Sequence, residues 1–245
     1  MANFRLILSY DGTRYRGWQR QGNTEHTIQA KVETVLSRIL DQPVECQASG
    51  RTDAGVHARA QVVSFRAHTA MQPEAILKQL RQYLPDDIGA MELEPAHPRF
   101  HARLNAKEKT YVYRVRNTAQ PDVFSRRFVT QIAAPLDVEA MQHAAEYLIG
   151  THDFASFCGN PNVKKSTVRT IYAFSVARRG EEVVFTVRGN GFLMNMVRIM
   201  VGTLLEIGQG RRKETDIPSI LAEKRRACAG ELAPAQGLCL WEVTY

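Results

Sequence analysis

Polar and apolar residues alternate over residues 3–10, with Phe4, Leu6 and Leu8 on one face, the period of a strand. The spacing then changes to that of a helix through Ile28, Val32, Val35, Leu36, Ile39 and Leu40, with Thr27 placed to cap it. Short strands are predicted at 44–48 and 61–65. Pro73 opens a second helix carrying Ile76, Leu77, Leu80 and Leu84, which Pro85 stops. A strand at 90–94 completes a β-α-β-β-α-β order.

The second half repeats that order loosely. Residues 109–116 alternate as a strand. Asp137 caps a helix through Met141, Ala144, Ala145 and Leu148, predicted to close at Gly150. Strands at 167–178 and 183–188 flank a hairpin turn at Arg179 and Gly180. A helix over 192–207 and a strand over 237–243 follow, with inserted pieces at 127–132 and a helix over 217–226. Two such units predict an α+β protein of two ferredoxin-like halves, divided into 1–104 and 105–245, whose sheets are able to join. Residues 95–105, with two prolines and little periodicity, read as the crossing.

Composition narrows the class. Apolar residues at 44% exclude a disordered chain and supply a substantial core over 245 residues. No apolar run reaches the ~18–20 residues of a membrane helix, and the first residues lack a secretory signal's cleavage site. Four scattered cysteines, Cys46, Cys158, Cys228 and Cys239, lack metal-ligand or redox spacing, which favours a reduced, cytoplasmic compartment and no metal. Thirty-two Lys and Arg against 25 Asp and Glu give a net +7, a charge suited to nucleic acid, though many basic proteins bind none. The β-α-β-β-α-β order is also that of RNA-recognition motifs. Neither third-strand segment, at 61–65 or 183–187, carries their glycine- and aromatic-rich pattern, which disfavours that class.

The chemistry concentrates in Ser49-Gly50-Arg51-Thr52-Asp53-Ala54-Gly55-Val56-His57-Ala58. Glycines and small residues leave a tight turn open to a substrate around one carboxylate. Taken alone, the segment reads more simply as a β-turn. It is no phosphate-cradling loop, since it has neither Gly-Lys-Ser/Thr nor Gly-x-Gly-x-x-Gly before a helix.

This segment resembles the catalytic loop of the tRNA pseudouridine synthases that modify the anticodon arm. Tyr10-Asp11-Gly12-Thr13 with Gly17-Trp18-Gln19-Arg20-Gln21 resembles that family's N-terminal motif. Phe100-His101-Ala102-Arg103 and Lys109-Thr110-Tyr111-Val112-Tyr113 resemble its middle motif. His152-Asp153-Phe154, Ser156-Phe157, Thr167-Val168-Arg169, Gly191-Phe192-Leu193 and Met196-Val197-Arg198 resemble its C-terminal blocks. The similarity runs in order from about Phe4 to Trp241, and residues 158–166 fit no family pattern.

The resemblance implies a pseudouridine-synthase fold, two ferredoxin-like domains with sheets joined into one mixed, mainly antiparallel sheet. It implies a homodimer binding tRNA across both subunits, acting on uridines 38, 39 and 40, with Asp53 as nucleophile. It assigns Arg198 as the partner of that carboxylate and Tyr111 to the uracil, and Arg51 helps place the backbone. The reaction exchanges one bond for another without gain or loss of atoms, so no cofactor, metal or ATP is called for. Arg14, Arg16, Arg20, Arg59, Lys164 and Lys165 are candidate phosphate contacts, each equally readable as solvated surface.

Two bland readings stand beside these roles. Tyr111 and Tyr113 share a strand face and fit a core. Asn195, Arg198, Gly202 and Glu206 form one polar stripe on their helix and fit a solvent face. Two other functions compete: a tRNA-binding or folding protein without chemistry, and a nucleoside-bond hydrolase, which would need a second carboxylate such as Asp11 or Asp153.

Overall fold

The structure is a computed structural model that describes residues 1–160 and 162–245. The chain divides into two compact units, Met1–Lys107 with Leu240–Tyr245, and Glu108–Cys239. The end of the last strand thus belongs with the first unit, whereas the division read from the sequence keeps it with the second.

In the first unit the elements are β1 (Ala2–Tyr10), α1 (Ile28–Leu40), β2 (Cys46–Ala48), β3 (His57–Ala67), α2 (Pro73–Tyr83) and β4 (Ile88–Pro95). Strand β1 lies between β4 and β3, and β2 pairs with β3, all antiparallel, which is the 4-1-3-2 order of a ferredoxin-like unit. Alternation in β1 buries Phe4, Leu6 and Leu8, each at most 3% exposed. The register of β1 against β3 shifts between Leu8 and Tyr10, where the strand enters the Tyr-Asp-Gly segment. Thr27 caps α1 by accepting the Ala30 amide, and Pro73 begins α2, both as the sequence predicts. Ile28, Val32 and Leu36 of α1 and Ile76 and Leu80 of α2 are buried beside the sheet's apolar face.

The second unit contains β5 (Glu108–Arg116), β6 (Thr130–Gln131), α3 (Val138–Glu146), β7 (Gly150–Asp153), β8 (Val168–Arg179), β9 (Glu182–Gly189), α4 (Met196–Gly208) and α5 (Ile217–Glu223). The strands run in the order β5-β9-β8-β7, antiparallel, with β6 parallel to the end of β5. Gly180 turns the β8–β9 hairpin at φ +60°. Asp137 caps α3 through the Ala140 amide. Gly208 lets α3 and α4 approach, since a Cβ there would lie 2.6 Å from the Met141 sulfur. The last strand, β10, is Leu238–Thr244. The α+β class with mixed, mainly antiparallel strands is therefore as expected.

Several boundaries differ from the sequence reading. Helix α5 stops at Glu223 rather than 226, and β2 begins at Cys46 rather than 44. Gly150 does not end α3, which stops at Glu146; at φ +111° it opens an extra edge strand, β7. Helix α4 begins at Met196 rather than 192, because Asn195 before it is left-handed at φ +61°. Strand β3 begins at His57, four residues before the predicted start, directly out of the Asp53 loop. Among the described residues no helix is long and apolar enough to cross a membrane.

Candidate active site

The Asp53 loop belongs to the first unit, and its backbone does form a β-turn. The Val56 amide donates to the Asp53 carbonyl at 3.1 Å, and Gly55, the third residue of the turn, has φ +77°. A positive φ there is what a type II turn demands. Asp53 itself is half-buried, while Arg51 is exposed.

The segment from Tyr10 to Trp18 clamps this turn from one side. The Trp18 amide donates to the Thr52 carbonyl at 3.0 Å, and the Gly55 amide to the Tyr15 carbonyl at 3.3 Å. The Gly12 amide donates to His57 Nδ1 at 3.0 Å, and Asp11 Oδ1 lies 3.2 Å from the same nitrogen. One imidazole nitrogen thus meets both the Gly12 amide and the Asp11 carboxylate, tying the first residue of β3 to the Tyr-Asp-Gly segment. Two glycines are steric requirements of the clamp. A Cβ on Gly12 would lie 2.0 Å from the Val56 oxygen. Gly17, at φ +91°, has the backbone of Thr52, Asp53 and Ala54 within about 3 Å of where its Cβ would be.

A buried polar network holds the loop from below. Ser49 Oγ donates to Gln61 Oε1 at 2.6 Å, Gln61 Nε2 donates to the Gly50 carbonyl at 2.8 Å, and the Tyr10 hydroxyl meets Thr52 Oγ1 at 2.8 Å. Ser49 and Gln61 are fully buried, so each bond is made in a medium where an unmade one costs about 1–3 kcal/mol. Sequence reasoning gave no role to Tyr10, Gly12, Gly17, Trp18, His57 or Gln61. The first four stand in the N-terminal motif and His57 in the loop string; Gln61 carries no signal beyond being a polar residue in an apolar strand.

In the second unit, Tyr111 on β5 is 7% exposed and meets Phe192 edge to face, with centroids 5.1 Å apart. Tyr113 is a core residue. Its hydroxyl bonds Thr130 Oγ1 at 2.6 Å and donates to the Pro234 carbonyl at 2.9 Å, and burial pushes its pKa up to about 12 against the opposing Thr130 bond and the Arg198 charge.

Arg198 leaves the first turn of α4, half-buried, and its Nε donates to the Ala233 carbonyl at 2.7 Å. The Ala233 amide returns a bond to the Arg198 carbonyl at 3.2 Å. The polar stripe of α4 is thus no solvent face. Residues 229–233 run across it. Gly202 admits the Glu231 carbonyl, which a Cβ would meet at 1.8 Å, and Glu206 accepts the Glu231 amide at 2.8 Å. Glu206 is 6% exposed. Burial alone would raise its pKa, but the Arg212 guanidinium and the Glu231 amide hold the carboxyl below its ordinary value.

The basic candidates have different surroundings. Arg14 makes two bonds to Asp87 Oδ2, at 2.9 and 2.6 Å, and Tyr15 takes the other oxygen. Arg20 reaches Glu33 at 3.2 Å. Arg59 lies over the Trp241 ring, 4.6 Å from its centroid. Arg16, Lys164 and Lys165 are exposed. Among the described residues no cluster of three His, Cys, Asp or Glu side chains has the spacing to hold a metal ion.

The loop with one central carboxylate, locked by main-chain bonds on a ferredoxin-like sheet, lies in the segment whose motif resembles that family. The family model for tRNA pseudouridine synthase matches residues 6–105 and 144–245, and the chain belongs to that family. The matched stretches contain Asp53 and Arg198 and leave out Tyr111. The chain is 45% identical over 245 residues to tRNA pseudouridine synthase A of Brevibacillus brevis, with 100% of each covered. It is 46% identical to tRNA pseudouridine synthase A of Exiguobacterium, over 100% of this chain and 98% of that one, and 43% identical to tRNA pseudouridine synthase A 2 of Bacillus cereus, with 100% of each covered. It is accordingly an enzyme, an isomerase of uridine in tRNA.

Proposed function

We propose that this enzyme converts uridine to pseudouridine at positions 38, 39 and 40, in the anticodon stem and loop of tRNA, with Asp53 as the nucleophile. The C1′–N1 bond breaks, the uracil turns, C1′–C5 forms, C5 gives up its proton and N1 gains one. The leaving group is also the acceptor, so one ionised carboxylate suffices where a glycosidase needs two. Tyr111 stacks on the uracil, worth about 1–3 kcal/mol per base. Arg198 is the guanidinium that keeps the Asp53 carboxyl ionised against the effect of burial. Arg51 helps place the strand, Arg14, Arg16, Arg20, Arg59, Lys164 and Lys165 meet phosphates, and two copies of the chain act as a homodimer.

The observation that carries this reading is the fixation of the loop: Thr52, Asp53 and Gly55 each have the main chain tied, so the carboxylate stands on a rigid base. Rigid placement is what a reaction dependent on one group needs. The test is Asp53→Asn on an anticodon stem-loop labelled with tritium at C5 of the target uridine. Tritium release stops and binding of the stem-loop is retained. Continued release would remove Asp53 from the mechanism.

A further inference from the structure

Beside the loop, within the first unit, lies a cavity of about 170 Å³ to which Trp18, Gln19, Gln47, Gly50, Arg51 and Arg103 contribute. Its inner wall is fixed by Gln29, 6% exposed, which uses its whole amide on the protein. Oε1 accepts from Gln19 Nε2 at 2.8 Å and from the Arg20 amide at 2.9 Å; Nε2 donates to Glu33 at 2.8 Å and to the Cys46 carbonyl at 3.2 Å. Gln19 is thereby held by its amide nitrogen with its oxygen still able to accept. Two guanidiniums share the rim, and among the described residues neither Arg51 nor Arg103 has a side-chain hydrogen bond or an ion pair. The paired arginines Arg5, Arg14 and Arg20 of the same unit contrast with them. The one carboxylate at the cavity, Glu45, is engaged by Gln47 Nε2 at 2.7 Å and leaves the rim with a positive excess.

We propose that this cavity holds one phosphodiester of the substrate strand, with Arg51 and Arg103 on its non-bridging oxygens and Gln19 accepting from the adjoining ribose hydroxyl. Two like charges gathered on one pocket without a protein partner match a divided anion, and guanidinium meets phosphate oxygens in paired bonds. Arg103 is the new element. It comes from the Phe-His-Ala-Arg segment, 52 residues after Arg51, and would make the pocket read the strand position that also presents the uridine to Asp53. This rests on the proposed tRNA reading, and its test is separable because the wild-type enzyme's turnover is measured independently.

The experiment is a methylphosphonate scan. Stem-loops are made with a single neutral phosphonate at each position around the target uridine, and their binding is measured with wild type, Arg103→Gln and Arg99→Gln. Arg99 is exposed and lies off the cavity. In wild type one position weakens binding by about tenfold, the loss of one charge-assisted contact. In Arg103→Gln the unmodified stem-loop binds about tenfold more weakly, the phosphonate at that position costs far less than in wild type because only Arg51 still meets it, and the slope of log K against log salt falls by about one contact. Arg99→Gln leaves the positional pattern as in wild type. Additive losses of Arg103→Gln and every phosphonate, or the same pattern from Arg99→Gln, would overturn the assignment.

Discussion

Replacing Gly17 with alanine tests whether the clamp sets the position of Asp53. At φ +91° a side chain is strained wherever it points, at a cost of about 1–2 kcal/mol. The new Cβ also stands 2.8 Å from the Thr52 oxygen and 3.1 Å from the Asp53 carbonyl carbon, both backbone atoms that cannot rotate aside. Overpacking of that kind costs about 1–3 kcal/mol, so the total is about 2–5 kcal/mol. A domain stable by more than the low end of the usual range of about 5–15 kcal/mol survives this. The cheapest relief is for the turn to move, which breaks the Trp18-to-Thr52 bond and shifts Asp53. A displacement of about 1 Å lowers turnover about 100-fold. The assay pairs urea unfolding with single-turnover rates on a stem-loop. Gly22→Ala is the control, since nothing lies within 4 Å of its Cβ and its φ is ordinary; it alters stability by no more than about 1 kcal/mol and leaves the rate alone. Wild-type rate and urea midpoint in Gly17→Ala would refute the argument.

Two predictions concern the covered face of α4. In Gly202→Ala the Cβ would meet the Glu231 carbonyl at 1.8 Å, so residues 229–233 lift and Arg198 loses its Ala233 anchor; a lower turnover rate in a folded protein is expected, and an unchanged rate would make that anchor irrelevant. Glu206→Gln removes the partner of Arg212 and costs about 1–3 kcal/mol at neutral pH. Because the folded carboxyl sits below its ordinary value, the unfolded chain takes up the proton first as pH falls, and the Glu206 contribution is lost from about pH 4.5 downward. The urea midpoints of wild type and Glu206→Gln should therefore converge in acid; a gap constant from pH 7 to pH 3 would show that the ion pair contributes nothing.

The fold was legible where local chemistry decides it. Thr27 and Asp137 cap helices because a short oxygen-bearing side chain before an apolar period has little else to do, and Pro73 starts a helix because it needs no amide partner there. Gly150 was misread because a glycine after a helical run signals both a helix end and the positive φ of a strand entry. The site was legible as a string, Arg51 to His57, and not as a mechanism of support. Periodicity places Asn195, Arg198, Gly202 and Glu206 on one stripe, yet it is silent on what covers a stripe. Here the cover is backbone from 229–233, whose Ala233 carbonyl and Glu231 amide answer Arg198 and Glu206.

The same kind of backbone answer explains the loop. Gly12, Gly17 and Gly55 look like three independent turn glycines in the sequence. Gly12 and Gly17 are sites where one chain segment presses main chain on main chain against the other, and only Gly55 is there for the turn itself. In the proposed mechanism one carboxylate faces a base lifted from its stack, and neighbouring side chains are poorly suited to correct its position. Main-chain contacts are stiffer than side-chain contacts because they carry no rotamer freedom. On that argument, substitutions that change loop side chains while sparing the glycines, such as Ala54→Ser at an exposed position, shift activity far less than any Cβ placed in the clamp.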